Sequence, residues 1–578
     1  MKNFQWFSVH FEAVSIQEYI FAGAKLKDMV SASELVDMLC GDPLTDAIKV
    51  LGLSAKNELP DNENDIAFPR AAGGAFVAIL KSQEMAQRFM SLWSMIVPEF
   101  APGLKFTMSM ANGAKLVDCI KAGIKSQKAQ KNVFRPSFPE ITPIMERSPR
   151  TGQFVVAVSN KNPNNIVESL DAITAVKRQL SDVDKVLGID AKFLPKNATH
   201  EGKTWVFPKC IAHSNKEQEC RRQEAFPFNN NDGEVSGQHY VGLIHADGNG
   251  LGEFLHAFFE ILKDKTDDQY YQAYSTFTQG LEVATLAAGS QATQQVFITA
   301  SDLISEKDID KMVIPMRPII LGGDDLTVIC RADKAFEFAQ AFVEAFEQQT
   351  KTLMQSFNIA RHRKMTACAG IAFVKSNQPF FMAAHLAESL CSAAKIQSRM
   401  AIQSSEEKTI PSSLAFHLIS NSLFEDAKVA LNQELQANHE GETYQTTLGA
   451  YQIAGEANAM LPQFSQLQTL CECFGDEASQ KLGIATLRHL ATWVHADINR
   501  AKDVYARWKE VSNDQDKMSI ESGAPNLKWQ TWEQALRLFG IDEPTLPFKS
   551  QSTQANLLLS PISDVLAYAK MSAQGATK

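Results

Sequence analysis

The chain of 578 residues lacks any apolar run approaching the ~18–20 residues that a membrane helix requires. Its start, MKNFQWFSVHFEAVSIQEYI, has polar and acidic residues where a signal peptide is continuously apolar. A soluble, cytoplasmic protein with no membrane partner is therefore expected. Positive charge is scarce as well: 56 Lys and Arg stand against 66 Asp and Glu, a formal net charge of −10. That balance argues against nucleic-acid binding by general positive charge, leaving a local basic groove or contacts supplied by partner subunits. Nine cysteines in so long a chain do not make a disulfide framework. Cys119, Cys330, Cys368 and Cys391 lie in apolar periodic stretches and read as small core residues. None of the twelve histidines is followed by aspartate, which removes the usual sign of an HD phosphohydrolase or nuclease. What remains is an ordinary globular composition, 45% hydrophobic and 21% charged, which excludes collagen-like, low-complexity and wholly disordered classes.

The clearest break is PFNNNDGEVSGQ (227–238), a cluster of turn formers. Beyond it, 240–244 reads as a strand, followed by DGNGLG, an apolar-periodic stretch over 253–262 and a longer helical pattern over 272–295. Strand-like runs at 318–321 and 326–330 flank Gly322-Gly323-Asp324-Asp325. This is a hairpin signal, because paired glycines permit the positive φ of a tight turn. A helix over 333–356, a strand over 366–374 and a helix over 380–399 complete the order βα(α)ββαβα. That order is a ferredoxin-like, palm-type layout, an antiparallel sheet with helices on one face.

A weaker version stands near the N-terminus: a strand at 4–11, helices at 15–24 and 31–39, Gly73-Gly74, a strand at 77–80, a helix at 84–96 and a strand at 104–110. Ile16, Tyr19 and Ile20 align with Leu251, Phe254 and Leu255 at a shift of 235, setting Glu12 opposite Asp247. The two Gly-Gly pairs differ by 249. The pattern reads as an internal duplication whose first copy has lost its hairpin carboxylates. From 421 onward the chain is rich in Ala, Leu and Gln without strand signals, and 481–511 reads as one long helix. The expected fold is α+β: a degenerate palm-like domain (1–145), a mixed, helical linker domain (146–237), an intact palm domain with a GGDD hairpin (238–420) and an all-helical C-terminal domain (421–578).

Asp247 ends a buried strand, and Asp324 and Asp325 sit at the hairpin tip. In a palm-type sheet the first strand lies beside the second strand of the hairpin, so the three carboxylates should converge. Such groups repel one another, which raises their pKa values unless a cation neutralises them. Hard oxygen ligands suit Mg²⁺ or Mn²⁺, which bridge carboxylates to substrate phosphates. Ions held this way can activate a ribose 3′-hydroxyl and stabilise a leaving pyrophosphate. Gly248, Gly250 and Gly252 are expected to leave backbone N–H groups free for phosphate beside a helix start. Either motif alone reads as an ordinary turn; their joint placement in a palm order makes the metal site.

Lys395, read as ending a helix, is a candidate for reaching a phosphate, against the plainer reading of a solvated lysine. Gly202-Lys203-Thr204 imitates the end of a phosphate loop, but Asn197 stands where the first glycine belongs. Cys210, His213 and Cys220 offer three zinc ligands where a structural site needs four, so a surface loop is expected and zinc is not. Cys471 and Cys473 read as one buried and one exposed helix position.

On these residues the chain resembles the large polymerase/cyclase-like subunit of type III CRISPR effector complexes. The resemblance covers most of the chain, weakening after about 420, and rests on IQEYIFAGAKLKDMVSASELVDML (16–39), HADGNGLGEFL (245–255) and MRPIILGGDDLTVIC (316–330). TACAGIAFVKSNQPFFMAAHLAESLCSAAK (366–395) and SSLAFHLISNS (412–422) add to it. It implies two palms facing each other, with two nucleotides at their junction. The intact palm would join them through attack of a 3′-hydroxyl on the α-phosphate of ATP, commonly yielding cyclic oligoadenylates as second messengers. Activity would be gated by target RNA in a complex with guide RNA and other subunits. Asp247, Asp324 and Asp325 would then be catalytic metal ligands. Ser33 would face a nucleotide from the first palm, and Gly248, Asn249, Gly250, Gly322, Gly323 and Lys395 complete the nucleotide-binding set.

Three departures from the family pattern matter. Many members begin with an HD nuclease domain, whereas here the first palm starts at residue 1, so DNase activity of that type is not expected. The strand motif often reads Asp-Gly-Asp, and here Asn249 holds the third place, able to hydrogen-bond ribose or phosphate. A cysteine-based zinc site often lies between the palms, and MERSPRTGQ (145–153) has no cysteine. Two rival readings stand beside this one. A GGDEF-type cyclic dinucleotide synthase is disfavoured by 16–39, and a scaffold that binds nucleotide or RNA without turnover is disfavoured by the intact GGDD.

Overall fold

The segment WFSVHFEAV is buried along almost its whole length, the pattern of a strand covered on both faces. In the computed structural model of the chain it forms the strand Trp6–Val14, antiparallel to Ala75–Leu80 on one side and Lys105–Gly113 on the other. The described residues are 5–573 without 24, 132, 134–143, 150, 160–167, 182–187, 196–198, 201–202, 209–239, 300–310, 358–363, 404–408, 420–425, 459, 476–480, 522–526, 543–544 and 552–553. Asp65–Ala72 and Ser54–Lys56 extend this sheet to five strands. A six-stranded sheet repeats the plan: Tyr240–Asn249 lies between Asp325–Arg331 and Thr366–Lys375, with Met316–Gly322 beyond the former and Ser413–Leu418 and Ala450–Gln452 beyond the latter.

The common order of four strands bears out the α+β, two-palm reading and its duplication, with one change of register. Ala72 pairs with Ala75 and Gly322 with Asp325, so the turns are Gly73-Gly74 and Gly323-Asp324. Equivalent positions therefore differ by 250, not by the 249 that separates the Gly-Gly pairs. Gly74 stands where the second palm has Asp324, and Ala75 where it has Asp325. The turn glycines Gly73, Gly74 and Gly323 all have positive φ (62°, 71° and 63°), which a side chain would strain.

Helix Phe380–Gln403 packs directly on strand Thr366–Lys375. A Cβ at Gly370 would lie 2.0 Å from the Ala387 carbonyl oxygen and 2.5 Å from the Cys391 nitrogen. Both obstacles are helix backbone and neither can swing aside, so Gly370→Ala should push off the helix that carries Lys395. The expected cost is about 1–3 kcal/mol, read as a drop in Tm of about 2–4 °C per kcal/mol. An unchanged melting curve would contradict this packing.

The C-terminal part departs from the all-helical expectation. Gln436–His439, Glu442–Gln445, Lys549–Gln551 and Gln554–Leu559 form a four-stranded sheet. Its hairpin turns at Glu440 and Gly441, both at positive φ (53° and 88°). Its central pairing, Thr443 with Leu557, is parallel and joins segments more than a hundred residues apart. The single helix expected over 481–511 is two helices, Ile484–Ala496 and Ile498–Glu521. Asp497 between them is extended (φ −159°), and its Oδ1 accepts from the backbone N–H groups of Asn499 and Arg500, capping the second helix. The linker is less helical than expected: strands Val155–Ser159, Glu168–Asp171 and Lys203–Val206 accompany helices Ala172–Ser181 and Gly188–Phe193.

Cys119, Cys330, Cys368 and Cys391 are buried core residues, and Cys471 and Cys473 are both buried. The break at 227–238, Gly202, and Cys210, His213 and Cys220 lie outside the described residues. No described helix is long and apolar enough to cross a membrane.

Candidate functional site

Strand Tyr240–Asn249 is apolar at its start and ends in Asp247-Gly248-Asn249. Its antiparallel pairing with Asp325–Arg331 sets Asp247 directly opposite Asp325. The tight turn then folds Asp324 over Gly248. The Gly248 N–H donates to the Asp324 carbonyl at 3.2 Å, and a Cβ at 248 would come within 2.8 Å of the Asp324 side chain. Carboxylate oxygens of Asp247, Asp324 and Asp325 all lie within 4.8 Å of one another. The convergence expected from the motif spacing is present.

Loss of surrounding water, followed by the charge of Asp247, pushes the Asp324 carboxyl up to about 6. Asp325 is raised well above the usual range by desolvation and by the charges of Asp324 and Asp247. Its side chain is exposed, so the repulsion is the cause that solvent contact leaves standing.

Lys395 is drawn into this field. Its ammonium pairs with Asp247 and donates to the Gly248 carbonyl at 3.0 Å. Burial alone would lower its pKa, but Asp247 and then Asp324 more than offset that and hold it above the ordinary lysine value. Lys395 is neither at a helix end nor solvated, since its helix runs on to Gln403 and the side chain is 18% exposed. The first palm keeps an echo of this pair, with Lys131 Nζ 2.8 Å from Glu12 Oε2. It cannot rebuild the cluster, because Gly74 and Ala75 replace the aspartates and the Val36 side chain lies 2.8 Å from a Cβ at Gly74.

Three converging carboxylates that attract a lysine form a donor set suited to a hard divalent cation, and the residues present fit Mg²⁺ or Mn²⁺. The other predicted residues divide. Asn249 is buried, and its Nδ2 donates to Thr366 Oγ1 (3.2 Å) and Cys368 Sγ (3.3 Å), so its amide group braces the neighbouring strand instead of joining the acidic cluster. The Gly248 N–H, expected to be free for phosphate, is taken by Asp324. Gly250 (φ 74°) begins helix Leu251–Leu262 with no side-chain cap. A Cβ at Gly252 would meet nothing within 4 Å, so this first turn is open to an anion.

Gly323 is tied to helix Asp267–Thr293 through Thr285 Oγ1, which donates to its carbonyl at 2.6 Å. A Cβ at Gly322 would stand 3.5 Å from the Gly73 Cα, so the hairpin tips of the two palms touch. Ser33 is buried in helix Leu26–Met38 and has no described contact with the carboxylates.

Two residues had no signal in the sequence. Arg70 is exposed on the first palm's hairpin and its charge reaches Asp324, working against the rise in pKa. His245, two residues before Asp247, is held near a pKa of about 4 by burial and by Lys395. Its Nδ1 lies 3.1 Å from Thr327 Oγ1 and 3.4 Å from Gln17 Nε2 of the first palm. Both depend on the apposition of the palms, which no local motif announces.

Residues 240–403 match the family described as Cas10/Cmr2, second palm domain. In fold the chain is similar to Csm1 of T. onnurineus, at 13% identity and a TM-score of 0.51 over 99% of this chain and 70% of that one. Also similar are Csm1–Csm4 cassettes in complex with cA3 (12% identity, TM-score 0.47, 94% of this chain and 70% of that one) and with AMPPNP (13%, 0.48, 93% and 69%). No curated protein matches the chain.

Proposed function

We propose that this Cas10-like chain is the nucleotidyltransferase subunit of a type III CRISPR effector complex, making an adenylate second messenger, a cyclic oligoadenylate or a related species, from ATP when target RNA binds. The observation that carries the reading is the Asp247–Asp324–Asp325 cluster at an intact palm hairpin, within the segment that matches the second palm of Cas10/Cmr2. These residues would hold Mg²⁺ or Mn²⁺, which when bound supplies charge stabilisation at the reacting phosphate and acidifies a coordinated hydroxyl.

The chain's own residues position the reactants. The uncapped turn after Gly250 presents backbone N–H groups to an anion. Lys395 already lies beside Asp247, from where its ammonium can turn to the triphosphate once the carboxylates are otherwise neutralised. The touching tips at Gly73 and Gly322 support a reading in which a second nucleotide binds between the palms, with Ser33 as the first palm's candidate contact. A 3′-oxygen forms a bond to the α-phosphorus of ATP, the bond to pyrophosphate breaks, and the hydroxyl proton leaves to solvent. With a net charge of −10, guide and target RNA are expected to be held largely by partner subunits.

Mass spectrometry of the assembled complex with guide RNA, target RNA, ATP and Mg²⁺ tests this reading. A new adenylate species that depends on target RNA is the expected result. Silence with ATP, with other nucleotides and with cell extract as acceptor, while target RNA still binds, overturns the enzyme in favour of a scaffold.

A further inference from the structure

The helix Gly188–Phe193, between the palms in sequence, is six residues long, and its polar groups are committed to the two palms on either side. At its start the N–H groups of Gly188 and Ile189 donate to the Glu34 carboxylate at 3.0 and 3.2 Å, and Glu34 belongs to the first-palm helix Leu26–Met38. Asp190 pairs at 2.8 Å with Arg317, a guanidinium only 1% exposed on the hairpin strand Met316–Gly322. Lys192 Nζ lies 2.6 Å from Asp37 Oδ1 of the first palm and donates to the Leu321 carbonyl at 3.3 Å, just before the catalytic turn. Phe193 is fully buried beside Gly289 of helix Asp267–Thr293.

We propose that this helix is a strut that sets the catalytic hairpin against the first palm, with Lys192 as its positioning residue. The inference rests on the nucleotidyltransferase reading for its activity arm and on geometry alone for its structural arm. Met316–Gly322 is the edge strand of its sheet among the described residues, and an edge strand offers backbone groups that no neighbouring strand holds. On that edge the strut supplies two fixings, Asp190 to Arg317 and Lys192 to Leu321, and it anchors both to Glu34 and Asp37 on one first-palm helix. A movement of the first palm is therefore passed to Met316–Gly322, the strand that leads into the turn holding Asp324 and, just beyond it, Asp325. An ordinary surface ion pair would leave the hairpin where it is.

The test compares Lys192→Met and Lys192→Arg in the full chain and in the assembled complex. In the full chain without nucleotide, Lys192→Met should speed hydrogen exchange of the hairpin amides over 321–326, and Lys192→Arg should restore protection. In the complex, Lys192→Met should lower kcat about tenfold or more, as small misplacements of reacting groups do. The KM for ATP should stay within about twofold, and the arginine variant should recover most of the rate. If Lys192→Met fails to fold, Asp37→Asn, which cuts the first-palm end alone, carries the same readings. Unchanged exchange together with unchanged kcat, in a complex whose wild type makes product, overturns the strut. A wild type that makes no product overturns the functional reading instead, and the exchange data then decide the strut by themselves.

Discussion

Replacing Asp324 and Asp325 together by asparagine is expected to cut product formation in the assembled complex by about a thousandfold or more, with target-RNA binding intact. Asparagine keeps the size of each side chain, so the turn and the close approach of Asp324 to Gly248 survive. What is lost is the negative charge, so two of the three anionic oxygen donors for a divalent ion become neutral carbonyls. Removing a single group that stabilises transition-state charge costs about 10²–10³ in rate. Two groups serving the same ion act as a unit, so their losses are not expected to multiply independently. Product quantified by mass spectrometry, beside a melting curve and an RNA-binding assay, checks the outcome. Residual synthesis above about a tenth of wild type would remove these residues from the machinery.

The part of this site legible in the sequence is the part set by local rules. A buried strand ending in Asp247, a glycine turn before Asp324-Asp325 and antiparallel pairing between them are enough to bring three carboxylates together. The rest depends on partners far away in the chain. Asn249 braces its strand because Thr366 and Cys368 lie beside it in the register, and nothing in DGNG announces that. Nor does DGNG show that the Gly248 amide is taken, since its acceptor, the Asp324 carbonyl, arrives from across the hairpin. The register shift of 249 followed residue identity, whereas the fold aligns turn positions, placing Gly-Gly in one palm against Gly-Asp in the other.

The helix continues past Lys395 because residues 396–403 contain neither glycine nor proline to stop it. The C-terminal sheet escaped because its strands are short and its key parallel pairing spans more than a hundred residues. Such pairings leave little trace in local periodicity.

Removing divalent ions should abolish turnover and also make the stability of the protein depend on pH in a direction set by the same three carboxylates. Asp324 titrates near about 6 in the fold, raised by desolvation and by Asp247, against about 4 in the unfolded chain. Because the folded state binds this proton more tightly, the contribution to stability is fully present below about pH 4. It is lost as pH rises through 6. Asp325 is shifted in the same direction. Lys395 is raised above the ordinary lysine value, so its stabilising charge is constant throughout this window.

The metal-free protein therefore carries its largest electrostatic penalty at pH 7.5, where a cation has the most to neutralise. Mg²⁺ or Mn²⁺ should raise Tm more at pH 7.5 than at pH 5, by about 2–4 °C for each kcal/mol of binding. In Asp324→Asn/Asp325→Asn the shift should vanish, and the metal-free melting temperature should lose most of its fall between these pH values. A cation-induced rise that is equal at both pH values, or that persists in the double variant, would place the ion elsewhere on the protein. It would also leave the carboxylate repulsion to be relieved by Lys395 and, to a smaller extent, by Arg70.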